Sequence, residues 1–223
     1  MTYSKFTLSK LKQDFGITLD GSQSLFDQTP KRPASELLTL TLEYALPLAT
    51  RINTEKVRSE LLIAPILLEI RRQCNNEISF FSGSEFNVDA ETGLEGYCDY
   101  LLSRSTEQLE ITSPVVILVE AKKESLVGGI PQCIAEMIAA QLFNTRSNNP
   151  IATIYGAVTS GTNWQFLTLQ GTQIKLDTTE YFISDIEKIL GILYQSTQIE
   201  NQFFIQAPTK PDRRPHRAIL QVF

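Results

Sequence analysis

The stretch from Ser113 to Lys123, SPVVILVEAKK, constrains the fold more than any other part of the chain. A strand with one wet face alternates polar and apolar residues, whereas Val115 to Val119 is apolar throughout, as expected of a central strand covered on both faces. The chain must therefore build a sheet with helices on either side. The run then ends in Glu120, Ala121, Lys122 and Lys123. Successive strand side chains point to opposite faces, so Glu120 and Lys122 share one face while Ala121 and Lys123 share the other. The charged end belongs at the rim of the sheet, with Lys123 facing away.

The elements on either side follow from periodicity. The segments KFTLSKLKQDFG, ASELLTLTLEYALPLA and NTEKVRSELLIAPILLEIRRQ read as helices, the third with Asn53 as its N-cap and with a kink or break at Pro65. The segment DGSQSLFDQTPKRP reads as a loop. From Glu77 onward EISFFSG, EFNVDA, GYCDYLLSR and SPVVILVEAKK predict a meander of three or four strands. GGIPQCIAEMIAAQLFNTR predicts a helix opened by Pro131 and ending near Asn144. IATIYGAVTS, NWQFLTLQ and TQIKLDTT predict three more strands, the last two turning at Gly171, and SDIEKILGILYQSTQ predicts a closing helix. The expected class is α/β, an α+β arrangement with a mixed sheet flanked by helices.

Composition removes several functions. At 223 residues, 42% hydrophobic and 20% charged, the chain suits one globular domain: an N-terminal helical extension packed on the core (1–52), the core (53–206) and a basic tail (207–223). No run approaches the roughly 20 apolar residues of a membrane span. The opening MTYSKFTLSKLKQDFG lacks the apolar stretch of a secretory signal, so a cytoplasmic protein is the expectation. Cys74, Cys98 and Cys133 form no CxxC pair, and the sole histidine, His216, lies in the tail, which disfavours zinc sites and histidine catalysis. A net charge of -5 argues against indiscriminate coating of nucleic acid. The basic cluster is KPDRRPHR, with Lys210, Arg213, Arg214, His216 and Arg217.

A second acid, Asp99, interrupts the apolar strand GYCDYLL. If this strand and 114–122 form an antiparallel hairpin turning near Gln108 and Leu109, Asp99 falls opposite Glu120, on the same face. Two carboxylates at that separation repel unless a cation lies between them, and two hard oxygen donors with retained waters suit Mg²⁺. Glu60 is expected on the helical stripe of Val57, Ala64 and Leu67, where an acid needs a partner; Lys56 and Arg72 are within reach. Gln132 and Glu136 fall one turn apart on the following helix.

Glu60, Asp99, Glu120-Ala121-Lys122 and Gln132, in helix, strands, helix, strand order from about Asn53 to Leu169, resemble the PD-(D/E)xK, or restriction-endonuclease-like, nuclease superfamily. Cys98 stands where the family's name has proline. The resemblance implies a mixed four-stranded core sheet and hydrolysis of nucleic acid, DNA above all, by a metal-activated water. It implies Asp99, Glu120 and the Ala121 carbonyl as ligands of Mg²⁺, or of Mn²⁺ in its place, with Lys122 beside the attacking water. Glu60 would hold a second metal or its water, and Gln132 would orient Lys122 or touch the nucleic-acid backbone. A homodimer is the family expectation for cutting two strands. The competing expectation is a catalytically silent module using the same fold to bind nucleic acid or a protein partner.

Overall fold

The computed structural model describes residues 2–123 and 125–198, so the basic cluster at Lys210, Arg213, Arg214, His216 and Arg217 lies outside the described residues. Helix α1 (Leu8–Phe15) is capped by the Thr7 hydroxyl and stops at Gly16, whose φ of 63° favours glycine. Strand β1 (Thr18–Asp20) and helix α2 (Glu36–Ile52), capped by Ser35, follow. The long third helix is composite: α3 (Glu55–Arg58), a π-helical segment (Ser59–Ile63) and α4 (Ala64–Gln73). Pro65 has no amide to donate and its ring crowds the carbonyl of Leu61, and the wide π turn immediately before it accommodates both.

The N-cap of that helix is Thr54 rather than Asn53. Thr54 Oγ1 accepts from the Val57 amide at 3.2 Å, while Asn53 sits in the left-handed region at φ 53° and closes α2. Asparagine tolerates that backbone better than most L-residues, and its side chain is taken by Arg58 Nε at 2.9 Å.

The remaining elements are β2 (Ser79–Glu85), β3 (Tyr97–Ser103), β4 (Val115–Ala121), α5 (Ile130–Arg146), β5 (Ile154–Thr159), β6 (Asn163–Gln170), β7 (Gln173–Phe182) and α6 (Ile186–Thr197). They form one seven-stranded mixed sheet in the order β1-β7-β6-β5-β4-β3-β2, parallel at β1/β7 and β4/β5 and antiparallel elsewhere. The fold is α/β, with helices on both faces of the sheet.

Two expectations are corrected. EFNVDA is not a strand of its own: Glu85 closes β2, and the rest is a loop with a single bridge, Asp89 to Leu94, because its side chains bond to nearby backbone, Asn87 accepting from the Gly96 amide and Asp89 from the Thr92 amide. β1, inside a segment read as helix and loop, is only three residues long and exists through pairing with β7, more than 150 positions away. Helix α5 ends at Arg146, near Asn144 as expected.

All seven residues of β4 are buried, as its composition requires. On one face lie α2, the π segment, α4 and α6, with Leu62, Ile66 and Leu190 against Val116, Val119 and Trp164. On the other lie α5 and the N-terminal segment, with Tyr3, Leu11, Cys133 and Met137 against Leu118, Val158 and Leu167. Each such Leu, Ile or Val contributes about 1.5–3 kcal/mol relative to exposure. Helix α5 comes close to the sheet because Gly156 has no side chain; a Cβ there would lie 2.4 Å from Met137 Sδ. No helix among the described residues is long and apolar enough to cross a membrane.

Candidate active site

Helix α5 is fixed along β4 at both ends. At one end the buried Asn144 donates from Nδ2 to the Val115 carbonyl and accepts at Oδ1 from the Val115 amide, both at 2.8 Å. At the other, Gln132 Nε2 donates to Glu120 Oε2 at 2.9 Å. Residues 132 to 144 span about 18 Å of helix, and residues 115 to 120 span about 17 Å of strand. The two lengths match, so one pairing helps to set the other.

Glu120 is 1% exposed. Its Oε1 accepts from the Lys122 ammonium and its Oε2 from Gln132, so both oxygens are engaged. Burial, then the neighbouring charge of Asp99, push its carboxyl up to about 8, against the pull of Lys122. Desolvation opposes the charge on Lys122, but its hydrogen bond to Glu120 and the acids Glu55 and Asp99 outweigh that, and the ammonium is held above its usual range. The Lys122 amide donates to the Thr159 carbonyl at 2.8 Å, which keeps its backbone on the β4–β5 ladder.

Asp99 sits where the hairpin register requires. Tyr100 pairs with Val119, so one further step along the antiparallel ladder brings Asp99 opposite Glu120. Its Oδ2 accepts from the Ala121 amide at 2.8 Å, satisfying a backbone donor at the end of β4. Asp99 also lines an open cleft of about 290 Å³ together with Ala121, Tyr100, Ser59, Glu55 and Glu60. Tyr100 ties the cleft wall to the sheet by donating to the Ser59 carbonyl at 2.8 Å.

Glu60 faces this cleft but is not on the apolar stripe expected for it. Its side chain is 56% exposed and pairs with Lys56 at 2.7 Å, while Arg72 is taken by Glu69. The extra residue in the π turn shifts the helical phase, so spacing counted back from Ala64 and Leu67 misplaces it. An ion pair this exposed is weak and leaves Glu60 available to other partners.

Three participants lack a strong sequence signal. Glu136 is fully buried, accepts from Gln132 Nε2 at 3.2 Å, and has an Oε2 with no partner. Burial and the charge of Glu120 push its carboxyl well above the usual range. Glu55 accepts from the Lys123 amide at 3.1 Å, and only its place in the first turn of a helix hints at this. Gly129 makes room for Lys122: a Cβ there would lie 3.0 Å from Lys122 Cε and 2.7 Å from Val158 Cγ1. Lys123 is exposed, on the opposite side from Lys122 in strand alternation.

Among the described residues, no group of three or more His, Cys, Asp or Glu side chains stands ready to hold a metal ion. The donor set is two carboxylates, Asp99 and Glu120, across one hairpin. Mg²⁺ is commonly bound by one or two carboxylates with several waters retained, so this set is chemically compatible with it, whereas zinc would call for nitrogen or sulfur. No family model, curated protein or solved structure matches the chain.

Proposed function

We propose that the chain is a metal-dependent nuclease, an endonuclease-like phosphodiesterase acting on DNA, with Asp99 and Glu120 as the carboxylates that take Mg²⁺ and Lys122 beside them. The observation that carries this reading is Glu120. A carboxyl that is 1% exposed, bonded by Lys122 on one oxygen and by Gln132 on the other, is costly for folding alone, since an apolar residue would serve the core better. Its position at the end of a central strand, across from an acid that lines an open cleft, favours a working site. The resemblance of Asp99, Glu120-Ala121-Lys122 and Gln132 to the PD-(D/E)xK pattern points the same way, with the restriction-endonuclease-like core as the fold proposed.

A bound Mg²⁺ lowers the pKa of water and neutralises phosphate charge. Among the chain's own groups, Gln132 fixes the plane of the Glu120 carboxyl. Lys122, kept charged, holds the attacking water and offsets the negative charge that gathers on phosphorus oxygens in the transition state. The Ala121 carbonyl is a third candidate ligand, and Glu60 is available to orient a water from the far wall. Glu55, Glu60 and Asp99 outnumber Lys56 around the cleft, an arrangement that repels a phosphate backbone unless a cation intervenes. This feature disfavours a silent module that binds nucleic acid through the same cleft.

The test is Mg²⁺-dependent cleavage of linear, supercoiled and branched DNA by the purified chain, compared with Lys122→Ala and Asp99→Ala. Loss of cleavage in both variants, with Mn²⁺ replacing Mg²⁺ in the parent, is the expected result. Equal residual cleavage in all three proteins would sink the reading.

A further inference from the structure

The outer face of α2 does not look like a solvated surface. Its inner residues Leu38, Leu42, Ala45 and Ala49 are buried, yet Leu37, Leu40, Tyr44, Leu48 and Ile52 are exposed, Tyr44 at 81% and Leu37 at 70%. A surface helix normally carries polar residues on its outward side. Here the outward side repeats large apolar residues every three or four positions for the whole length of the helix, the spacing of a seam between two helices. The stripe opens sideways into a groove of about 340 Å³ against α4, lined by Leu37, Thr41, Pro65 and the exposed Leu68. Contiguous apolar surface of this kind marks an interaction site.

The charges on α2 select the occupant. Glu36 is exposed in the first turn and Arg51 in the last, and neither enters an ion pair among the described residues. A second copy laid antiparallel across the stripe, with the two-fold axis at Tyr44, sets Leu40 against Leu48 and Tyr44 against itself. The same operation brings Glu36 to the level of Arg51, twice in each dimer, and opposes the two helix dipoles favourably. A parallel pairing would set Glu36 on Glu36 and Arg51 on Arg51. We infer that the outer face of α2 joins two copies of this chain, antiparallel, about a two-fold axis at Tyr44. This surface is self-complementary whatever chemistry the cleft performs.

Sedimentation equilibrium of the full chain tests the inference. The wild type should be a dimer, and Tyr44→Glu should raise its dissociation constant at least ~10-fold, as removal of a central aromatic anchor does. Glu36→Arg and Arg51→Glu should each weaken the dimer, and the two together should restore it. Independently of any folding defect in Tyr44→Glu, a Tyr44→Cys chain should form a disulfide-linked dimer on mild oxidation. Thr39→Cys, also exposed but away from the stripe, should not. A monomer at the highest concentration the protein tolerates, equal crosslinking at the two positions, or failure of the charge-reversed pair to restore association would each overturn it.

Discussion

The Lys122 ammonium donates a hydrogen bond to Glu120 Oε1, two residues back on the same face of the sheet, and the carboxyl that accepts it is almost wholly buried. The lysine is 25% exposed and the glutamate 1%, so the pair runs from cleft to core. One side of that carboxyl is held by a charge and the other by an amide.

In the absence of divalent cations, stability should fall as pH rises through the neutral range. The Glu120 carboxyl is raised from its ordinary 4.5 to about 8, so the folded state keeps a proton that the unfolded state releases. Its contribution is therefore complete below about 4.5, declines between about 4.5 and about 8, and is absent above that. Glu136 acts in the same direction. Urea midpoints measured from acid to alkaline pH in chelator should show the decline, and Glu120→Gln should flatten it; an unchanged slope in that variant refutes the assignment.

Lys122→Met should remove cleavage and also push Glu120 higher, because the group that opposes its protonation is gone. Carboxyl ¹³C shifts followed against pH read this directly. The expected loss of stability at alkaline pH is about 1–3 kcal/mol, the range for a buried polar group that loses its partner. An unmoved Glu120 titration would show that Lys122 does not govern it.

Gly129→Ala should act on Lys122 without touching any acid. The added methyl meets Lys122 Cε and Val158 Cγ1 inside normal contact distance, and the flexible lysine is the easier of the two to displace. Cleavage should drop at least ~10-fold, while stability falls by about 1–3 kcal/mol. Full activity in this variant would mean that Lys122 is not held by the glycine gap.

How much of this was legible in the chain varies with the range of the forces involved. The central strand and the facing of Asp99 and Glu120 follow from alternation and from a polar turn midway between them, both local signals. Helical spacing alone puts Glu60 on the wrong face, because the extra residue in a π turn leaves no mark in a periodicity count. The burial of Glu136 leaves no local mark because an acid one helical turn after Gln132 reads as a wet helix face, and only the close approach at Gly156 brings this helix under the sheet. β1 and the gap at Gly129 depend on partners far along the chain, where local pattern carries no information.

Asn144→Ala should destabilise the fold by about 2–4 kcal/mol, since it strands both the amide and the carbonyl of buried Val115. Because α5 is fixed to β4 at two points, the same change should loosen Gln132 at the far end, seen as faster hydrogen exchange of the Gln132 side-chain amide. A thermal shift smaller than that of an average surface substitution would show that the Val115 contact is dispensable.

The π segment also lets the cleft wall absorb a change in length. Five residues in the wide turn sweep about the same angle as four at ordinary α pitch, so one residue deleted from Ser59–Ile63 is absorbed by a return to that pitch. The buried face of α4 would keep its seat, and Glu55 and Lys56 would still face Asp99. The segment thus takes up a one-residue offset between two pieces of a continuous helix, one locked to the core and the other aimed at the cleft; a residue added or removed in α3, where no wide turn absorbs it, is what would misaim the acids.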